Sequence, residues 1–365
     1  MRIAVDCRYV RTDRHDGISR YTAGLVAELG ALHPVTMLIS DPHQLRMLPT
    51  LPWFRVSAPT SVREPLVAWQ VNRLAPDVVF SPMQTMGTLG RRYRLVLTLH
   101  DLIYYRHPTP PRDLPAPIRL LWRLYHLAWW PQRLLLDRAD AVVTVSQTTA
   151  SLIAAHRLTR RPVTVVANAA DPVPAQALAA AAPVPAGPEP GRRLVYMGSF
   201  MPYKNVDTLV RAAAALPDHE LHLMSRVDDA ERARLTALAP GARLVFHDGA
   251  SDAEYHAALR GATALVSASR DEGFGIPLVE AMSVGTPVVV SDIPVFREVG
   301  GAAGTYLDPD DVAGFTAAIR ELDDPERAAA RSAAARERAG HYSWAASARA
   351  LLTLLERTAE VPLRT

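Results

Sequence analysis

Two glutamates bracket the run Glu272-Gly273-Phe274-Gly275-Ile276-Pro277-Leu278-Val279-Glu280, in the loop that follows the strand candidate 264–267. Gly273 and Gly275 let the backbone approach a ligand closely. Pro277 suits the first position of a helix, where its missing N–H is unneeded. The N–H groups of segment 274–278, Pro277 excepted, are then placed at a helix start that could hold a diphosphate. On this reading Glu272 lies in the loop and Glu280 in the first helical turn, both facing a ligand. An acid in a first turn is favoured by the helix dipole alone. That accounts for Glu280 taken singly, but not for the string as a whole.

A second loop of this kind follows the strand at 194–197 and reads Gly198-Ser-Phe-Met-Pro-Tyr203-Lys204-Asn205, ahead of a helical stretch at 206–216. A glycine after a strand and a lysine at the next helix start are what a phosphate site uses, the lysine as a point charge for a leaving diphosphate. Taken by itself, the segment reads more simply as a surface lysine capped by Asn205.

Both loops depend on the elements that position them. Strand candidates lie at 3–6, 35–39, 77–80, 95–99, 141–145 and 163–166, then at 194–197, 221–224, 244–246, 264–267 and 288–290, with helical patterns such as 17–32, 206–216 and 252–259 between them. Strands alternating with helices imply parallel sheets covered on both faces. The Pro/Ala-rich stretch 172–191 carries no strand signal and reads as a linker. The expected organisation is an N-terminal Rossmann-like domain (1–171), the linker, a C-terminal Rossmann-like domain (192–342) and a final segment (343–365). Two doubly wound domains face a cleft, and ligands bind outside the carboxyl ends of the strands.

Composition narrows the function classes. The chain has 365 residues, 49% hydrophobic and 21% charged, with a net charge of +3. That suits two globular cores and excludes wholesale disorder. So small an excess of basic charge does not argue for nucleic acid. One cysteine, Cys7, precludes an internal disulfide and speaks against a thiolate zinc site. The N-terminus lacks the apolar run of a signal peptide, and no window reaches a membrane span, so a cytoplasmic protein is expected. Asp308-Pro-Asp310 has the spacing of a metal-binding pair, but after Gly304-Thr-Tyr-Leu a turn entering a helix is the better reading. The histidines show no His-x3-His spacing. Segment 116–133 mixes tryptophans with arginines. It suits docking at the inner face of an anionic membrane or on a greasy acceptor, although packing of its apolar face on the N-terminal sheet is the stronger reading.

These loops, with Ser291-Asp-Ile-Pro…Glu298-Val-Gly-Gly, Gly17-Ile-Ser-Arg-Tyr21 and Thr98-Leu-His100-Asp101-Leu102, occur in an order that resembles the retaining GT-B glycosyltransferases. The likeness is to the large Glu-x7-Glu family related to bacterial mannosyltransferases of polysaccharide and lipid-linked glycan assembly, the family 4 type. It extends over nearly the whole chain. The resemblance implies that Glu280 binds the ribose hydroxyls and Glu272 the donor sugar. Phe274, Gly275 and Ile276 would line the sugar–phosphate junction through their N–H groups, and Lys204 would meet the diphosphate beside Gly198. His100 would lie near the reacting centre, Gly17 in a tight loop at the donor phosphates. It further implies retention of configuration, no bound metal and no cofactor beyond the nucleotide-sugar substrate. GDP-mannose is the leading donor, and a glycan, lipid-linked or small-molecule species the acceptor. The final helix, 344–355, would cross back to the N-terminal domain. Many relatives carry an arginine where this chain has Ser199, and others one where it has Tyr203; Arg270 and Arg20 are candidates to replace it. A GT-B-shaped epimerase and a non-catalytic nucleotide-sugar-binding protein are the competing readings.

Overall fold

Val, Leu and Ile fill the strand segments so fully that β1 (Ile3–Asp6), β4 (Val78–Ser81), β5 (Arg94–Leu99) and β6 (Ala141–Thr144) are buried at every position. Burial on both faces is what a parallel sheet between helix layers produces. The computed structural model describes residues 1–110, 115–171 and 192–360. The expected linker, 172–191, lies outside the described residues. With β2 (Val35–Ile39), β3 (Trp53–Arg55) and β7 (Val163–Val165), the first sheet runs β3-β2-β1-β4-β5-β6-β7, parallel throughout.

The second sheet contains β8 (Arg193–Tyr196), β9 (Glu220–Leu223), β10 (Leu244–Phe246), β11 (Ala262–Ser267), β12 (Val288–Ser291) and β13 (Gly304–Leu307). Its order is β10-β9-β8-β11-β12-β13, again all parallel. Each sheet carries its own core, Leu38, Val79, Leu97 and Val142 in the first and Leu194, Leu221, Val266 and Phe315 in the second. The chain divides into a first unit, Met1–Ala169 with Ser343–Thr365, and a second, Ala170–Tyr342.

Two edge strands were not expected. β3 is three residues long and follows Pro52, and β13 opens on Gly304. Proline and glycine demote a strand signal, and both are tolerated at sheet edges.

The last helix, Trp344–Glu360, belongs to the first unit and packs along the Gly17–Leu32 helix. Gly24 makes room for it: a Cβ there would lie 2.4 Å from the Trp344 indole. Ser347 Oγ donates to the Ala167 carbonyl at 2.8 Å.

Candidate functional site

In the second sheet the chain enters at β8 in the middle, builds outward to β10, then returns to lay β11 on the other side of β8. The loops after β8 and β11 therefore diverge at the topological switch point, where open α/β sheets bind ligands. These are the two loops that carry Gly198 and Lys204, and Glu272 to Ile276. The topology brings together residues 68 positions apart: Lys204 Nζ lies 2.5 Å from Glu272 Oε1. Their side chains are only 14% and 15% exposed, so Lys204 is no solvated surface lysine.

Local backbone explains how Lys204 is aimed. Pro202–Lys204 forms a 3-10 turn that ends at Asn205, whose φ of 50° is left-handed, a conformation asparagine tolerates better than most residues. Asn205 does not cap the next helix with its side chain; instead its Nδ2 donates to the Pro309 carbonyl at 2.7 Å. The Tyr203 ring lies under the ammonium, its centroid 5.3 Å from Lys204 Nζ. At the start of the same loop, Gly198 N–H donates to Ser225 Oγ at 3.1 Å. A Cβ on Gly198 would approach the Tyr196 hydroxyl to 2.8 Å. That hydroxyl donates to the Ser199 carbonyl at 2.6 Å, which fixes the loop's exit from β8.

The loop after β11 enters the helix Ile276–Ser283 through Gly275, at φ 91° and ψ 55°. Leu278 N–H is bonded to the Gly275 carbonyl, so it drops out of the expected donor set. The N–H groups of Phe274, Gly275 and Ile276 have no acceptor among the described residues. Phe274 is buried with its ring edge-on to Tyr342, which anchors the loop. Glu280 departs from expectation: it is the fifth residue of the helix, beyond the first turn, and its side chain is buried. The favourable first-turn dipole position thus does not explain it. Gly275→Ala is expected to cost about 1–3 kcal/mol, since alanine is strained at this φ. Its Cβ would also fall 2.9 Å from a ring carbon of buried Phe296. An unchanged urea midpoint would show that the loop adapts without cost.

Sequence reasoning missed the brace around these loops. Asp310 pairs with both Nη atoms of Arg270, at 2.5 and 2.8 Å, and Arg270 N–H donates to the Tyr203 carbonyl at 2.8 Å. The Asp308-Pro-Asp310 turn therefore ties the loop after β13 to the loops after β8 and β11. Asp308 Oδ1 accepts from Asp310 N–H, and Asp311 caps the helix Val312–Glu321. Arg270 is thus committed to a carboxylate in this state. The composition also held an unused signal. Of the 40 lysines and arginines, Lys204 is the sole lysine.

In the first unit the switch point lies between β1 and β4. Asp6, the last residue of β1, and Glu64 together hold Arg8, whose Nε meets Asp6 Oδ1 at 2.8 Å and whose Nη1 meets Glu64 Oε2 at 2.5 Å. Ser57 O takes a further N–H of Nη1, while Nη2 is shared by Asp6 and Glu64, so all five guanidinium protons are used. Arg8 is a scaffold group rather than a phosphate ligand.

Gly17 is the exposed first residue of its helix, behind Asp16, which caps it by accepting from Ser19 N–H at 2.9 Å. His100 follows β5; its Nε2 lies 2.7 Å from the Pro82 carbonyl in the loop after β4, and its ring stands edge-on to Tyr21 at 5.1 Å. Burial holds the imidazole below its ordinary pKa, against the opposing pull of that carbonyl. A carbonyl can only accept, so Nε2 carries the proton and Nδ1 keeps its lone pair.

Among the described residues no helix is long and apolar enough to cross a membrane, and no cluster of three or more His, Cys, Asp or Glu could hold a metal.

Comparison with known proteins places this geometry. Residues 15–173 match the Glycosyltransferase Family 4 model and residues 182–338 the Glycosyl transferases group 1 model. The phosphatidyl-myo-inositol mannosyltransferase of Mycolicibacterium smegmatis is 34% identical over 178 residues, 46% of this chain and 46% of that protein. The chain thus spans less than half the length of that relative. The D-inositol 3-phosphate glycosyltransferase of the same organism is 30% identical over 302 residues, covering 77% of this chain and 67% of that protein. The crystal structure of Anabaena HepE with UDP-glucose superposes with a TM-score of 0.71 over 98% of this chain and 100% of that one, at 16% identity, a likeness of fold alone. With two successive family matches and a relative aligned over two thirds of its length, the chain belongs to the GT-B glycosyltransferases, a family 4 type half followed by a group 1 half.

Proposed function

We propose that the protein is a retaining hexosyltransferase, moving a sugar from a nucleotide-diphosphate sugar to a glycan, lipid-linked or small-molecule acceptor. GDP-mannose is the donor this reading favours, supported by the mannosyltransferase among its relatives. The observation that carries the proposal is the Lys204–Glu272 pair at the switch point, next to three N–H groups without an acceptor. A cation and a row of donors suit a diphosphate, and a carboxylate beside them suits sugar hydroxyls.

Donor binding divides the pair. Lys204 turns to the diphosphate with the N–H groups of Phe274, Gly275 and Ile276, and Glu272 accepts from the sugar. The bond from the anomeric carbon to the diphosphate oxygen breaks while the acceptor hydroxyl forms its bond on the same face. The hydroxyl proton passes to the released phosphate oxygen. Lys204 and the helix start stabilise charge that grows as the bond breaks.

Incubation with a panel of nucleotide sugars and a simple acceptor tests this directly. Release of nucleoside diphosphate with an α-configured product from an α-configured donor supports it. Epimerised donor, or a thermal shift without turnover, rejects it in favour of an epimerase or a binding protein.

Glu280 separates binding from chemistry. If it holds the ribose hydroxyls, far from the breaking bond, its contacts are alike in ground and transition states. Glu280→Gln is then expected to raise the donor KM more than it lowers kcat. Unchanged donor affinity would remove Glu280 from the nucleotide pocket.

A further inference from the structure

The backbone of Lys204 is fastened on both sides. The Tyr203 carbonyl, just before it, accepts from Arg270 N–H at 2.8 Å. The Asn205 side chain, just after it, donates to the Pro309 carbonyl at 2.7 Å and to Asp310 Oδ1 at 3.5 Å. One carboxylate serves both fastenings. Asp310 takes the two Nη atoms of Arg270, one on each oxygen, and its Oδ1 also faces the Asn205 amide. A two-pronged pair of this kind fixes the plane of the guanidinium as well as its distance. The acid is itself held: Pro309 restricts the backbone before it, and Asp310 N–H donates to Asp308 Oδ1 at 2.9 Å. The loops after β8, β11 and β13 thus converge on one exposed side chain.

Folding stability does not account for this convergence. The Arg270 and Asp310 side chains are 39% and 62% exposed, and an ion pair so open to water contributes little to stability. Direction is what it supplies. The turn that carries Lys204 ends on left-handed Asn205, a conformation that persists where the surroundings hold it. The ammonium stands on a flexible four-carbon stem, so its place is set by where the backbone launches that stem. Both peptide units that flank Lys204 are the ones fixed from Arg270 and from residues 309–310.

We propose that Asp310 is a positioning residue for Lys204, acting through Arg270 and Asn205 to hold the ammonium where the donor diphosphate arrives. The role of Lys204 rests on the transfer reaction proposed above, and one arm of the test does not. Asp310→Ala is expected to lower kcat by roughly ten- to a hundredfold, the scale of a misplacement of about 1 Å or less. The donor KM should change less, and the thermal midpoint should hold because the pair is exposed. Asp310→Glu, which keeps the charge on a longer stem, should retain more kcat than alanine. Asn205→Gly keeps the left-handed turn but loses the amide, and should lower kcat as well. In a Lys204→Ala background neither Asp310→Ala nor Asn205→Gly should lower kcat further, since the group they place is gone. The independent arm uses Lys204 as the sole lysine. An amine-directed reagent, followed by mass spectrometry on the free protein, should label it faster in both variants, where the ammonium is no longer kept against Glu272. Wild-type kcat in Asp310→Ala, or an equal further loss in the Lys204→Ala background, overturns the proposal. So does an unchanged labelling rate in both variants, or a thermal midpoint that falls in step with kcat in both, which assigns the acid to folding. A wild-type protein that transfers nothing from any nucleotide sugar defeats the transfer reading instead, and labelling then decides whether Asp310 places Lys204.

Discussion

Lys204→Ala is expected to lower kcat by roughly two to three orders of magnitude, the loss seen when one donor to a developing oxyanion is removed. Three features of the site make the effect large. Between Gly198 and Asn205 the loop holds no other cation, so no neighbour in it duplicates the charge. Arg270, the other cation at these loops, is held by both Nη atoms on Asp310. Removal of Lys204 also leaves Glu272 without its 2.5 Å partner, a bare carboxylate facing an incoming diphosphate. Glu272→Gln in the Lys204→Ala background should therefore recover part of the donor affinity while kcat stays low. Lys204→Arg should restore only part of the rate, since a planar fork does not replace a compact ammonium in a turn built over the Tyr203 ring. Because Lys204 is the sole lysine, an amine-directed reagent reports on this one side chain, apart from the α-amino group. Nucleoside diphosphate should slow its labelling, followed by mass spectrometry. Near wild-type turnover in Lys204→Ala would show that another cation carries the leaving group.

The parts of this site that could be read from sequence are those set by local rules. Glycine after a strand, proline at a helix start and alternating strand and helix patterns act over a few residues, and they located the loops after β8 and β11. The Lys204–Glu272 pair arises differently. It depends on β11 being laid beside β8 after the chain has built β9 and β10, and strand order is a long-range outcome that no spacing encodes. The same holds for the Arg270–Asp310 brace and for Asp6, Arg8 and Glu64, which meet across three separate segments. Glu280 was read into the first turn because the helix starts at Ile276, one residue before Pro277, and a shift of one residue is enough to change the reason an acid is present. For segment 116–133 the stronger reading, a helix packing its apolar face on the N-terminal sheet, meets two helices, Ala116–His126 and Trp130–Leu136. Periodicity cannot say which of two apolar faces turns inward, and here aromatic stacking won over aliphatic burial.

His100→Ala is expected to reduce transfer strongly while nucleoside diphosphate binding stays near wild type. Gly198, Lys204, Glu272 and Glu280, the residues proposed to hold the nucleotide sugar, all lie in the second unit, and His100 lies in the first. A substitution that spares nucleotide binding yet stops the reaction would give His100 a role in transfer that is separate from holding the nucleotide. The imidazole is prepared for such a role. Its Nε2–H is spent on the Pro82 carbonyl and its ring is set against Tyr21, so a neutral Nδ1 lone pair is presented in a fixed orientation. Such a nitrogen accepts a hydrogen bond from a sugar or acceptor hydroxyl only while it is unprotonated. Burial lowers its pKa below the ordinary 6.5, so at neutral pH the group is uncharged. As pH falls, transfer should therefore hold through 6.5 and decline only when the lowered folded-state pKa is crossed. In His100→Ala that acidic limb should vanish from what activity remains. His100→Asn, which can still bond the Pro82 carbonyl and offer an acceptor, should retain more transfer than alanine and also lack the limb. Calorimetry of nucleoside diphosphate binding and a product assay on the same preparations separate the possibilities. Equal loss of binding and transfer would mean that His100 supports the fold instead, and its part in transfer would have to be withdrawn.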